Sequence, residues 1–211
     1  PRSTPLYSSA ASVCIRDRDF EHGQWIPSEC AYGQLVDGQF ALAENLNPQL
    51  SWSGLPKGTQ SVVLACIDPD VPTDRKALNE EGEIPADQPR RDFVHWLVWD
   101  MDPAVCEVKK GEASVGDEKS GKRFAKPMGI EAINDYSSEA EIHRGYDGPC
   151  PPGFDARMHG YEFRVYALDV KTLDLPDTAR WEEVCERMAS HVLASATIQG
   201  IYSLNPRLQP L

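Results

Sequence analysis

Proline and glycine interrupt this sequence so often that little room is left for long helices. The 211 residues include 17 prolines and 15 glycines, and a proline inside a helix removes a hydrogen bond and clashes with the preceding turn. The segments between these interruptions are short and rich in β-branched and aromatic residues, which is typical of strands. A chain of this length usually forms one domain. We therefore expect residues 1–211 to fold as one domain built mainly of strands.

Five segments have the composition of strands. The clearest, residues 61–67, is a continuous apolar run that should end at Asp68-Pro69. The others are residues 93–101, 161–168 and 197–204 and a shorter candidate at 39–42. Because these segments lie far apart and are joined by long loops, chiefly residues 74–92 and 107–133, they favour an antiparallel β-sandwich over βαβ units.

One segment near the C-terminus predicts a helix. It follows Pro176, and either Asp177 or Thr178 can serve as its N-cap. Its apolar stripe runs from Trp181 to Val192, with charged residues on the opposite face.

The charge of the chain argues against two classes of partner. Its 33 acidic and 21 basic residues give a net charge of −12 at pH 7. Such a surface repels nucleic-acid phosphates and anionic bilayers at long range, so we expect no nucleic-acid partner. No apolar run reaches the ~18 residues of a membrane-spanning helix, so we expect no transmembrane segment.

Six cysteines are spread thinly along the chain. None forms a Cys-x-x-Cys pair, which excludes a zinc ribbon or a thioredoxin-like motif. A chain of this length needs no disulfides to build a core, and this cysteine usage favours a reduced cytoplasmic protein. Cys66 and Cys185 lie within apolar patterns and are predicted to be buried thiols.

Familiar catalytic motifs are absent from the sequence. Residues 116–123 come close to the phosphate-binding loop of nucleotide hydrolases, but Arg123 stands where a Ser or Thr would hold magnesium. The Gly-x-Ser-x-Gly, His-Glu-x-x-His and Gly-x-Gly-x-x-Gly motifs do not occur. The easily recognised hydrolases, zinc proteases and dinucleotide-binding enzymes are therefore excluded.

Two candidate groups of functional residues border the predicted strands. The Asp-Pro-Asp-Val-Pro motif at 68–72 places two carboxylates where the chain leaves a strand, although Asp and Pro are also ordinary turn residues. His95 lies inside an apolar strand, where a histidine is either a ligand-binding group or a hydrogen-bonded core residue. A functional role for His95 is favoured if it meets the carboxylates at 68–72.

The Gly-Pro-Cys-Pro-Pro-Gly segment at 148–153 is a third candidate. Its three prolines leave three residues with an N–H, and a rigid loop with few fixed donors suits an anion such as phosphate. His159 and Tyr161 are two residues apart at a strand entrance, so both side chains point to the same side. Alternatively, the prolines form a turn that only shapes the sandwich.

Taken together, these motifs resemble the phosphatidylethanolamine-binding protein family. The similarity is strongest to its bacterial and archaeal branch, often called Raf-kinase-inhibitor-like. Two further segments, residues 47–56 and the Asn-Asp-Tyr at 134–136, match as well, and the resemblance runs from about Cys30 to the final predicted strand. The order and spacing of several motifs make the resemblance specific.

The resemblance implies a Greek-key-like antiparallel β-sandwich with peripheral helices and a small anion pocket at one end. Family ligands are phosphate-type anions, including the phosphoethanolamine head group, and some members regulate kinases or other proteins. No catalytic mechanism is generally accepted for the family, so no catalytic residue, metal or cofactor is predicted. The predicted pocket residues are Asp68, His95, Cys150 through its N–H, Pro151, Pro152, His159 and Tyr161, with Asp70 shaping the rim.

The chain departs from the family pattern in four places. Gly160 replaces the arginine that usually stands between the histidine and the tyrosine, so one supporting cation is missing. Residues 74–92 form an insertion, which we expect to act as a wall or partner-binding flap of the pocket. Residues 137–144 lengthen another connection, and residues 1–29 form an N-terminal extension without a counterpart.

A regulatory protein that binds a small anion explains these residues best. One alternative is an enzyme in which Asp68, His95 and His159 hold a metal ion, or in which a histidine acts as an acid–base catalyst of hydrolysis. Another is a protein-interaction module whose pocket is vestigial. A kinase or other protein partner and a homodimer both remain open.

Overall fold

The computed structural model of the protein describes residues 13–114, 124, 128–138 and 140–210. The segment 116–123 and the first 12 residues of the N-terminal extension lie outside the described residues. The described strands are β1 (Cys14–Asp17), β2 (Gly33–Val36), β3 (Gln39–Leu42), β4 (Leu50–Ser53), β5 (Ser61–Pro72), β6 (Arg90–Met101), β7 (Glu107–Val108), β8 (Ile130–Glu131), β9 (His159–Leu168) and β10 (Val192–Tyr202), and the helical segments are α1 (Trp181–Met188) and two 3₁₀ turns, Ser28–Cys30 and Pro206–Leu208.

Two antiparallel sheets and a hairpin make up the strand structure. The larger sheet has the order β10-β9-β5-β6-β8, the smaller one has the order β1-β4-β7, and β2 pairs with β3. Buried side chains from both sheets form one apolar core, in which Leu50 and Trp52 of the smaller sheet join Leu64 and Phe163 of the larger one. The predicted antiparallel, mainly β fold is thus confirmed.

The other face of the larger sheet is covered by α1. Trp181 and Val184 of the helix pack with Val63 and Ile67 in a second apolar cluster. β5 is therefore buried on both faces, which explains why its sequence is a continuous apolar run instead of an alternating one. Among the described residues, no helix is long and apolar enough to cross a membrane.

The helix is shorter than predicted at both ends. Asp177 and Thr178 lie in a preceding turn, and Arg180 is the N-cap, with its N–H bonded to the carboxylate of Glu183 at 2.8 Å. The helix does not extend to Val192, because that residue starts β10 by pairing with β9.

Several strand limits differ from the predicted ones. β5 does not end at Asp68-Pro69 but continues to Pro72, with Val71 still paired to β6. The register shifts between Asp68 and Val71, and such an irregularity accommodates a proline that has no N–H to donate. Because β6 pairs with this extension of β5, it begins at Arg90, earlier than predicted.

The remaining predictions concern the C-terminal strand, one long loop and the buried thiols. β10 lies at Val192–Tyr202 and not at 197–204, whereas β3 has the predicted limits. The predicted loop 107–133 contains two short strands, β7 and β8. Cys66 is fully buried as predicted, but Cys185 is only half-buried, because it lies at the edge of the α1 cluster.

Candidate functional site

The topology brings the predicted site residues to one end of the larger sheet. β5 runs antiparallel to both β6 and β9, so the end of β5 lies beside the beginnings of the other two strands. A cavity of about 320 Å³ lies at this end. It is lined by Asp68, Val71, Arg75, Phe93, His95, Asp135, Tyr136, Cys150, Pro151, Pro152, His159 and Tyr161.

Seven of the eight predicted site residues line this cavity, and Asp70 does not. The carboxylate of Asp70 instead accepts the N–H of Gly160 at 2.8 Å and pairs with Arg157 at 2.8 Å. Asp70 therefore braces the start of β9 from behind the cavity wall. The ligand-binding role of the other seven residues stays a prediction.

A chain of buried charged groups supports the floor of the cavity. His159 donates from Nδ1 to Asp68 at 2.7 Å and from Nε2 to Asp155 at 3.0 Å. The second carboxylate also receives Arg90, through Nη1 at 2.5 Å and Nη2 at 3.0 Å. All four side chains are at least nine-tenths buried. Two carboxylates and two cations thus neutralise one another inside the protein.

These buried ion pairs keep His159 protonated. Burial disfavours the charge, but the hydrogen bonds to Asp155 and Asp68 outweigh it and raise the pKa of His159 to about 9. Burial likewise opposes ionisation of Asp155, but hydrogen bonds from His159 and Arg90 lower the pKa of this carboxyl to about 2. At neutral pH, both ring nitrogens of His159 therefore carry protons, and both protons are donated to carboxylates.

The arrangement weakens the metal-site alternative. A histidine ligates a metal through an unprotonated nitrogen, and His159 has none to offer in this geometry. Across the described residues, no group of three His, Cys, Asp or Glu side chains is placed to share a metal ion. The same two hydrogen bonds leave His159 unable to accept a proton as a general base.

His95, in contrast to His159, is neutral. Its Nδ1 lies 2.7 Å from the backbone carbonyl of Asp147, and because a carbonyl only accepts, Nδ1 carries the hydrogen. Burial lowers the pKa of His95, although the charge of Asp68 and the bond to the Asp147 carbonyl partly oppose this effect. Neutral His95 therefore has an unprotonated Nε2, which can accept a hydrogen bond.

Tyr161 contributes a hydroxyl without a partner. The residue is fully buried, and among the described residues its hydroxyl makes no hydrogen bond. Burial raises the pKa of this hydroxyl well above its ordinary value, so it remains a neutral donor. Its ring meets His95 edge to face, with 5.1 Å between the ring centres. An unsatisfied buried hydroxyl is costly, and this hydroxyl belongs to a residue of the cavity lining.

The proline-rich loop is held by bonds to its first residue. Gly148 donates its N–H to Asn45 Oδ1 at 2.7 Å, and its carbonyl accepts the hydroxyl of Tyr136 at 3.0 Å. A Cβ atom at this glycine would lie 2.1 Å from the carbonyl oxygen of Cys30, so no larger residue fits. The Gly148 N–H is therefore not available to a ligand, and the N–H of Cys150 stays the predicted donor.

Sequence reasoning missed Asp155, Arg90 and Arg75. Asp155 lies four residues before His159 in an irregular loop, where spacing carries no information about side-chain direction. Arg90 was counted as part of the insertion, whereas it begins β6. Arg75 also lies in the insertion, and nothing in the local sequence distinguishes it from the neighbouring charged residues.

The fold and the site define a class of protein: an antiparallel β-sandwich with a cavity lined by histidine, tyrosine and carboxylate groups at one end of its larger sheet. Comparison with known proteins narrows this class. The family described as "Phosphatidylethanolamine-binding protein" matches residues 16–203. The chain therefore belongs to the phosphatidylethanolamine-binding protein family, and the predicted resemblance is confirmed.

Individual relatives agree with this assignment. A "UPF0098 protein" of Methanothermobacter thermautotrophicus is 32% identical over 159 residues, covering 75% of this chain and 83% of that protein. The protein of the same name from Aquifex aeolicus is 31% identical over 201 residues, covering 93% and 92%. These similarities confirm the bacterial and archaeal side of the predicted resemblance.

Solved structures show the same fold. A putative phosphatidylethanolamine-binding protein homologue from Chlamydia trachomatis superposes with a TM-score of 0.64 at 26% identity, covering 91% of this chain and 97% of its own. Escherichia coli YbcL, described as a new member of the mammalian family, gives a TM-score of 0.67 at 21% identity and covers 92% and 99%.

Proposed function

We propose that this protein binds a small phosphate-type anion in the cavity at the end of the larger sheet. The observation that carries the proposal is the buried hydroxyl of Tyr161, which is unpartnered in the described part of the chain and lines the cavity beside His95. A ligand oxygen that accepts this hydroxyl would remove the cost of its burial.

The two neighbouring groups complement a partly protonated phosphoryl group. Tyr161 can donate to an unprotonated phosphoryl oxygen, and the unprotonated Nε2 of His95 can accept from a phosphoryl O–H. The N–H of Cys150, predicted to point into the cavity, would add a second donor. A phosphate or a phosphate monoester supplies both kinds of oxygen near neutral pH.

We further propose that this role is binding and not hydrolysis. His159 is committed to two carboxylates, and the carboxylate of Asp68 also accepts the N–H of Asp70 at 2.7 Å. Neither group is free to activate water, and the proposal assigns the unprotonated Nε2 of His95 to the phosphoryl O–H. A protein whose cavity binds an anion without reacting with it is suited to regulation. We therefore propose, more specifically, that anion binding regulates a protein partner.

Titration calorimetry with inorganic phosphate and phosphoethanolamine tests the proposal. We expect Tyr161→Phe to weaken binding about fivefold, since a net hydrogen bond contributes ~1 kcal/mol. Tyr166→Phe is the matched control, because Tyr166 lies on the same strand and packs with the α1 cluster on the opposite face. Wild type that binds neither ligand at millimolar concentration, or equal binding by the two variants, would contradict the proposal.

A further inference from the structure

The connection between β5 and β6, residues 73–89, is attached to the loop that forms one wall of the cavity. Its Ile84 is fully buried, donates its N–H to the carbonyl of Phe154 at 2.9 Å and accepts from Ala156 at 3.0 Å. Arg90, directly after the connection, bonds both the carbonyl of Pro85 and the carboxylate of Asp155. The C-terminal half of the connection is therefore held against the protein body.

The first turn of the connection lies at the mouth of the cavity. The side chain of Gln88 closes this turn, because it accepts the N–H of Asp74 at 3.3 Å and donates to the carbonyl of Ala77 at 3.4 Å. Arg75, inside the turn, lines the cavity and also an adjoining apolar groove of about 360 Å³. The two halves of the connection together position an arginine over the proposed site.

Arg75 differs from the cations of the buried network and from Arg157. His159 and Arg90 are paired with Asp155, and Arg157 is paired with Asp70. Arg75 is exposed, and no carboxylate of the described residues pairs with its guanidinium. It is thus a cation that lines the cavity and still has its hydrogen-bonding capacity available.

The start of β9 offers the cavity no free cation, because protonated His159 is already paired with Asp68 and Asp155. Gly160 stands between His159 and Tyr161, and its N–H is already bonded to Asp70 at 2.8 Å. The cavity lining also contains the carboxylates of Asp68 and Asp135, but these are paired with His159 and Arg180, so these pairs leave no positive charge for an anion. A free guanidinium can supply that charge and bind phosphoryl oxygens through two parallel hydrogen bonds.

From this geometry we infer that Arg75 is an anion-binding residue of the cavity, supplied by the β5–β6 connection because β9 offers no free cation. The inference rests on the proposed function and adds the residue that supplies the positive charge. It also assigns a role to the insertion. The buried Ile84 and the side-chain hydrogen bonds of Gln88 hold the turn so that Arg75 can contact the phosphoryl group.

The test compares phosphate binding by wild type, Arg75→Gln, Arg75→Lys and Lys76→Gln in titration calorimetry. Lys76→Gln is the matched control, because it removes the same charge one residue away and Lys76 does not line the cavity. We expect Arg75→Gln to weaken phosphate binding roughly tenfold or more, as charge-assisted hydrogen bonds are lost. The phosphate affinity of Arg75→Lys should lie between those of wild type and Arg75→Gln, and the affinity of Lys76→Gln should stay within about twofold of wild type.

The outcomes separate this inference from the proposed function. If wild type and Lys76→Gln bind phosphate while Arg75→Gln binds as tightly as Lys76→Gln, the role of Arg75 is refuted and the proposed function stands. If wild type binds no phosphate, both fail. Thermal unfolding of all variants should be unchanged, and destabilisation by Arg75→Gln alone would overturn the inference by making Arg75 a structural residue.

Discussion

Asp155 links the proposed site to the stability of the protein, and Asp155→Asn is the perturbation that measures this link. The side chain bridges His159 and Arg90 and is 1% exposed. Removal of one partner from a buried ion pair costs about 3–5 kcal/mol, because the other charge remains buried without compensation. An amide in place of the carboxylate would leave Arg90 without its carboxylate partner and His159 with Asp68 alone. We expect the free energy of unfolding to fall by about 3 kcal/mol at pH 6.

The pKa of His159 gives a second magnitude for the same interactions, because the bonds to Asp155 and Asp68 are what raise it. A rise from 6.5 to about 9 corresponds to about 3 kcal/mol, since each tenfold change is worth 1.36 kcal/mol. Because the pKa is higher in the folded protein, this stabilisation is fully present below pH 6.5 and is lost as the pH rises through about 9. The lowered pKa of Asp155 acts in the opposite direction, so its contribution is lost as the pH falls towards about 2.

Urea unfolding at pH 6 and pH 9.5 tests both statements. The matched control is Asp169→Asn, which removes the same charge from a carboxylate that also pairs with a histidine, His191, at 2.8 Å. That pair is exposed, so its loss should cost at most about 1 kcal/mol. We expect the difference between wild type and Asp155→Asn to narrow at pH 9.5, where wild type loses the His159 contribution. Equal stability of the two variants at pH 6 would refute the reasoning.

Three further predictions follow from single residues. Sulfate brings no proton, so it binds best when His95 is protonated at Nε2. Because burial lowers the pKa of His95 from 6.5, sulfate affinity should fall by up to about tenfold per pH unit once the pH exceeds this lowered pKa, and calorimetric affinities that agree at pH 5.5 and 8.5 would count against this. Tyr161→Phe should leave the unfolding free energy unchanged or raise it by up to ~1 kcal/mol, whereas a clear loss in urea unfolding would reveal a partner for the hydroxyl. Ile84→Ala should destabilise the protein by about 2–5 kcal/mol, while Leu78→Ala, at a position 48% exposed, should have little effect. Similar losses of unfolding free energy for both variants would show that Ile84 does not anchor the connection.

The parts of the fold that could be predicted are those where one physical signal dominates. Val62 to Ile67 is apolar throughout because both faces of the strand are covered, and this continuous run predicts a strand. The end of β5 was misplaced because proline usually terminates a strand, whereas here a shift of register retains it. Strands of two residues, such as β7 and β8, carry too few positions for a periodic pattern.

The residues of the candidate site also divide into those that the sequence predicts and those that only the structure reveals. Antiparallel pairing and the two-residue spacing on β9 were enough to expect His159 and Tyr161 on one side, and both line the cavity. Asp155 and Arg90 are 65 residues apart, and only the folded chain reveals that they form a pair. The insertion is predicted to be a wall or partner-binding flap of the pocket. The structure buries Ile84 but leaves Leu78 exposed, so only one of these two large apolar side chains anchors the segment.

The charge balance at this end of the sheet explains how a strongly acidic protein can offer a site to an anion. Three carboxylates there are matched by three cations in direct ion pairs: Asp68, Asp70 and Asp155 with Arg90, Arg157 and His159. Asp135, on the cavity wall, is paired with Arg180 at 3.3 Å. These groups cancel locally, so the net charge of −12 acts on an approaching ligand only at long range, where salt screens it over about 8–10 Å. Inside the cavity, the balance is decided by the groups left over, which are Arg75 and, once it is protonated, His95.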